Sequence, residues 1–251
     1  LLSNIPFATI LVTYVALLFA LSVHEAAHAT AAYLLEDDTA ARRGRMTLNP
    51  IAHIDVLGTV ILPLLGMITG ARVLGWAKPV PVDPSRLTRR FRARVGYAMV
   101  ASAGPVSNLL QSLIFMVALC MFVRFGLQGD PRQKFYYISA SMGASVEDIQ
   151  QAAIFTSGQI LALTLLGRLV IINVGLAVFN LLPFGPLDGA GILRGFLPYK
   201  WLPTFDRIQP AMSIIILILF LVGVMGYILM PFFWAAQILY LEPLARLILG
   251  V

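Results

Sequence analysis

Residues 5–35 are almost wholly apolar, and no charge interrupts the run from Ile5 to Val23. The pattern predicts one long helix of roughly 45 Å, enough to cross a bilayer and protrude. Glu36, Asp37 and Asp38 mark its end, and a polar stretch to residue 50 follows. VLGTVILPLLGMITGA (56–71) is apolar but short, and Gly58, Pro63, Gly66 and Gly70 interrupt it. A run of that length is expected to be re-entrant or interfacial. GWAKPVPV (75–82) alternates and is rich in proline, which suits an edge strand or an extended segment. Residues 85–94 predict a basic surface helix, and 95–123 a second span. Residues 126–150 read as a polar connection, and 158–182 as a third span that ends in NLLPFGPLDG (180–189). Two more spans are expected at 211–230 and 232–249, around Pro231. No repeat or soluble module appears. The fold class is therefore an all-α polytopic membrane protein of five to six transmembrane helices with a small β element, one domain over 1–251.

Composition agrees with the pattern. Hydrophobic residues make up 59% of the chain and charged ones 12%, against about 45–50% and about 25% in soluble domains. The first apolar run lacks a small-residue cleavage site, so no cleavable leader is expected. A single cysteine, Cys120, excludes an internal disulfide and a cysteine-based zinc site. The net charge of +6 is unevenly spread: residues 71–94 hold seven Lys and Arg against one acid, Asp83. Such a loop is expected to face anionic headgroups on the cytoplasmic side, and lipid rather than nucleic acid is the expected partner. With 56–71 not spanning, the 5–35 helix then runs inward, and residues 24–28 and 180–189 come to similar depths on the cytoplasmic side.

HEAAH (24–28) thus sits within a membrane segment, about 12 Å inside the helix end. Ionisable residues there are costly and mark function. On a helix His24 and His28 project from one face one turn apart, the spacing at which two imidazoles hold one Zn²⁺. Glu25, three residues before His28, is placed to take a proton from water rather than to bind the metal. A catalytic zinc needs a third protein ligand. His53, Asp55 and Asp188 are the candidates. Asp188 fits best, because it follows a proline-broken helix end at matching depth. His53 is expected to bind substrate or to support the site. Asn180 either orients a reacting group or caps its helix. Asn173, Lys78, Pro79 and Val80 complete the candidate substrate-binding or supporting residues. A metal transporter would spread its acids along a path, often in repeated halves; here they concentrate at one place. A silent scaffold would not need Glu25.

HEAAH and NLLPFGPLDG together resemble the two signatures of the site-2 protease family of intramembrane zinc metalloproteases. The resemblance implies that His24, His28 and Asp188 ligate one zinc ion and that Glu25 is the general base. ASAGPVSN (101–108) resembles the family's Ala-Gly-Pro helix start beside the site. LNPIAHID and GWAKPVPV resemble a compact subgroup without a PDZ domain, so the likeness covers most of residues 20–195. It implies a catalytic core over about 5–195, built on three helices and a membrane-embedded sheet, with C-terminal helices at 207–250. It also implies regulated cleavage of membrane-anchored proteins in a prokaryotic inner membrane. Gly185 stands where a proline is common and is expected to loosen the loop. Residues 200–251 match no motif, and nothing in the sequence sets the oligomeric state.

Overall fold

A computed structural model describes residues 7–69, 75–143, 149 and 155–250. Its helices are α1 (Phe7–Leu34), α2 (Thr39–Arg42), α3 (Leu62–Thr69), α4 (Ala93–Gly126), α5 (Pro131–Gly143), α6 (Ser157–Asn180), α7 (Asp188–Phe196), α8 (Leu202–Leu221), α9 (Val224–Ala236) and α10 (Glu242–Leu249). A π-turn over Val56–Ile61 leads into α3, and another over Gln237–Leu241 joins α9 to α10. Among the described residues, five stretches are long and apolar enough to cross a membrane: Phe7–Leu34, Ala93–Gly126, Ser157–Asn180, Tyr199–Leu221 and Val224–Leu249. The apolar segment after residue 56 falls short of that length.

The chain divides into two compact units. The first comprises Leu1–Ala20, Leu109–Gly175 and Pro231–Val251. Its core packs Met116, Leu119, Cys120 and Val123 of α4 against Leu163 and Val170 of α6 and Leu241 and Ala245 near the C-terminus. Cys120 is thus the buried apolar residue expected of it. The second unit comprises Leu21–Asn108 and Leu176–Met230. Its buried Asp37 ties the end of α1 to the following loops, accepting from Thr39 N at 3.0 Å and Asp83 N at 2.7 Å.

Four local expectations change. Residues 85–92 form turns, not a helix: Asp83 accepts from Ser85 N, and Thr88 N donates to Leu35 O at 2.6 Å, so helix-forming groups are engaged elsewhere. The C-terminal spans part at Gly223, whose φ of 81° makes the turn, while Pro231 lies inside α9. Gly104-Pro105 lies well within α4 and does not start it. Proline is tolerated in membrane helices, and α4 continues through Pro105 without a break. Finally, the described residues contain no β-strand. Residues 75–82 run without regular structure because their backbone partners are turns and side chains. Trp76 N donates to Gly58 O at 3.0 Å and Lys78 N to His53 O at 2.9 Å. Thr59 Oγ1 donates to Trp76 O, and Arg45 reaches the carbonyls of Lys78 and Pro79 at 2.7 and 3.1 Å. Arg72, Gly70 and residues 144–148 of the expected connections lie outside the described residues.

Burial distinguishes the faces of α4. Leu119 is fully enclosed, whereas Leu110 is 55% exposed on the surface available to lipid. Leu119→Ala should cost about 2–4 kcal/mol through lost packing, and Leu110→Ala should be close to neutral. Thermal unfolding of the purified protein in one detergent checks the contrast.

Candidate active site

The chemistry-bearing residues gather in the second unit. Helix α1 runs through HEAAH without a break because Ala26 and Ala27 favour helix and no proline intervenes. His24, Glu25 and His28 are all buried. Helix α4 lies antiparallel beside them, with positions 100, 104 and 108 on one face. Val100 O accepts from His28 Nδ1 at 2.8 Å, and Asn108 Oδ1 accepts from His24 Nδ1 at 2.5 Å. Gly104 sits between. A methyl group there would run into both imidazole rings, so only glycine permits this approach.

Asp188 arrives as the first residue of α7. The chain turns from α6 into α7 through Phe184–Leu187, with Leu187 N donating to Phe184 O at 3.0 Å and a cis bond at Gly185-Pro186. A side chain at Gly189 would strike the carbonyls of Leu181 and Leu182, which lets the new helix start hard against the end of the old one. Two glycines, 104 and 189, therefore set how closely α4 meets α1 and how closely α7 meets the chain just after α6.

The result is a convergence of acceptors. Because both Nδ1 atoms donate, both Nε2 atoms of the neutral rings present lone pairs. They face each other at 3.0 Å. Asp188 Oδ2 lies 3.2 Å from His24 Nε2, and Oδ1 lies 3.3 Å from His28 Nε2. Asp188 brings the third group, a carboxylate, to the same point. Its buried Oδ2 has no hydrogen-bond partner despite the close imidazole. One proton can relieve one of these contacts; a cation relieves all of them together. His24, His28 and Asp188 each place a ligand atom within 4.8 Å of the others, and among the described residues this is the one such group. Ring N–H groups donating to a backbone carbonyl and to an amide oxygen are the usual support of metal-binding histidines. The donor set fits zinc.

Glu25 is held by the backbone of another segment. Its Oε2 accepts from Val80 N at 3.0 Å, which connects the carboxylate to the irregular segment held by Arg45. The other expected residues are placed as follows. His53 stands outside the cluster; its Nε2 donates to Thr47 O at 2.8 Å, and its carbonyl holds Lys78 N. Asp55 caps the π-turn through Leu57 N and Gly58 N. Asn180 donates to Leu176 O at 2.9 Å, one turn back, as a helix-end residue does. Asn173 lies in the other unit, where its amide donates to Leu169 O. Lys78 and Pro79 contribute backbone carbonyls to Arg45. Sequence reasoning passed over Asn108 and Arg45. Asn108 carried a readable signal, a lone amide inside an apolar span.

The site's two motifs occur within a longer match: a model of Peptidase family M50 aligns with residues 12–223. The chain belongs to Peptidase family M50. It is also 32% identical over 219 residues to "Putative zinc metalloprotease YwhC" of Bacillus subtilis (strain 168), an alignment covering 86% of this chain and 83% of that protein. No solved structure matches it. The M50 assignment and that relative make the chain a zinc metalloprotease of the site-2 type, and the five apolar helices among its described residues make it an integral membrane protein.

Within this M50 protease, Gly104→Ala should push the α1–α4 contact apart. The expected cost is about 1–3 kcal/mol, read as a lower unfolding temperature with helical content unchanged by circular dichroism.

Proposed function

We propose that this protein is an intramembrane endopeptidase that cleaves transmembrane or membrane-proximal segments of membrane-anchored proteins, with one zinc ion held by His24, His28 and Asp188. The observation that carries the reading is the meeting of two unprotonated imidazole nitrogens and a carboxylate, with Glu25 adjacent on the same helix. Zinc bound there supplies Lewis acidity and a water that loses its proton near neutral pH. The chain's own residues do the rest. Asn108 and Val100 fix the imidazole planes, so the ligand lone pairs stay aimed at one point. Asp188 offsets positive charge in a buried place. Glu25 accepts the proton from water and delivers it to the leaving amine nitrogen. The Val80 N–H occupies one of its oxygens and fixes the carboxylate, leaving the other oxygen to move the proton.

A helical substrate hides its carbonyls in its own backbone bonds, so it must unwind locally to present one. The N–H groups of Trp76, Lys78 and Val80 are already engaged, and Pro79 and Pro81 have none. The segment 75–82 accordingly serves the site as a support for Glu25. Arg86, Arg89, Arg90 and Arg92 precede α4 and Arg94 lies in its first turn; together they fit an anionic headgroup surface, which favours a site opening toward the cytoplasm.

Metal analysis of the purified protein should give about one zinc per chain, lost in His24→Ala and in Asp188→Ala. Glu25→Gln should retain the metal and lower cleavage of a membrane-anchored substrate by at least about 100-fold. Cleavage at the wild-type rate in Glu25→Gln would refute the mechanism. Comparing membrane proteomes of cells carrying wild type and Glu25→Gln should reveal the substrate as a protein that accumulates uncleaved.

A further inference from the structure

The Asp188 loop is held from outside the motifs. Gly185, two residues after Pro183 and three before Asp188, has both sides of its backbone clipped to α8. Its N–H donates to Gln209 Oε1 at 2.5 Å. Its carbonyl accepts from Ser213 Oγ, which also donates to Gln209 O, one turn back on the same helix. A third tie fixes the far end of α7: Arg194 makes two parallel bonds to Asp206 at 2.8 and 2.9 Å. Positions 206, 209 and 213 follow the i, i+3, i+7 spacing of one helical face. Helix α8 thus presents a polar stripe to the loop and to α7, while only 6% of its membrane-length window is buried. Few apolar contacts hold it, so these bonds supply much of the registration between it and the turn.

We infer that Gln209 and Ser213 are positioning residues for Asp188, so that α8, which carries no recognised motif, sets the third ligand of the metal site. The inference rests on the reading of Asp188 as a zinc ligand. His24 and His28 are fixed by α4 through Asn108 and Val100. Asp188 has no such support of its own: its Oδ2 lacks a hydrogen-bond partner, and its place depends on where the turn delivers the start of α7. Gly185 explains why the clip works here. A proline at that position would have no N–H to give Gln209. The glycine that departs from the expected motif is the residue whose amide is captured, and the loop is tied down by it.

The test measures zinc retention of the full chain, purified in detergent and dialysed against a graded series of chelator, with helical content followed in parallel. Four proteins are compared: wild type, Gln209→Leu, Gln209→Glu and Ser213→Ala. Gln209→Leu, which loses the acceptor, should release zinc at roughly 10-fold lower chelator concentration, the effect usual for a supporting partner of a metal ligand. Gln209→Glu keeps an acceptor for Gly185 N and should retain zinc as the wild type does. A merely structural role would not separate these two variants. Ser213→Ala should shift release in the same direction by a smaller factor. Wild-type retention in a folded Gln209→Leu protein overturns the inference. Should that variant not fold, Ser213→Ala decides, and unchanged retention there overturns it. Failure of the underlying site reading shows differently: Asp188→Ala would then hold zinc as tightly as the wild type.

Discussion

The site depends on a contact to which α4 contributes no side chain. At Gly104, α4 comes close enough to α1 for the carbonyl of Val100 and the amide of Asn108 to reach the two imidazoles. Those bonds decide which ring nitrogen carries the proton, and hence that both free lone pairs look the same way. Buried acceptors left unmet are costly, and a single bound cation would meet all of them together. The turn between α6 and α7 brings one more acceptor, Asp188, to the same point.

Supply of that acceptor follows a different logic. The histidines are mounted on a continuous membrane helix, where their spacing is fixed by helical geometry alone. Asp188 is mounted on a turn that only closes because Gly189 lets two helix ends touch. The turn is then clipped from the side by α8. Glu25 is steadied by a third route, a backbone N–H from an irregular segment that Arg45 in turn holds. Rigid helix, clipped turn and pinned loop each position one kind of group.

Much of this was legible in the sequence for a physical reason. Apolar runs long enough to span leave little choice of structure, so α1, α4 and α6 appear within a few residues of their expected limits. HEAAH and LDG could be read because they set ionisable groups against an apolar background. What escaped the reading was tertiary. Pro231 looked like a break because proline disrupts soluble helices, yet a membrane helix carried it and Gly223 turned the chain. The alternation of GWAKPVPV suggested a strand, but a strand requires a partner, and the neighbouring groups came from Arg45, Thr59 and Glu25. Gln209 and Ser213 gave no local signal, since their partner Gly185 is distant along the chain.

The two imidazoles are anchored to unlike things. His28 leans on a main-chain carbonyl, which no substitution at Val100 can delete, while His24 leans on the side chain of Asn108, which a single codon change can alter. One arm of the site is therefore invariant by construction and the other is adjustable. Variation at position 108 offers selection a way to tune the basicity and tilt of one imidazole while the other keeps the frame in register.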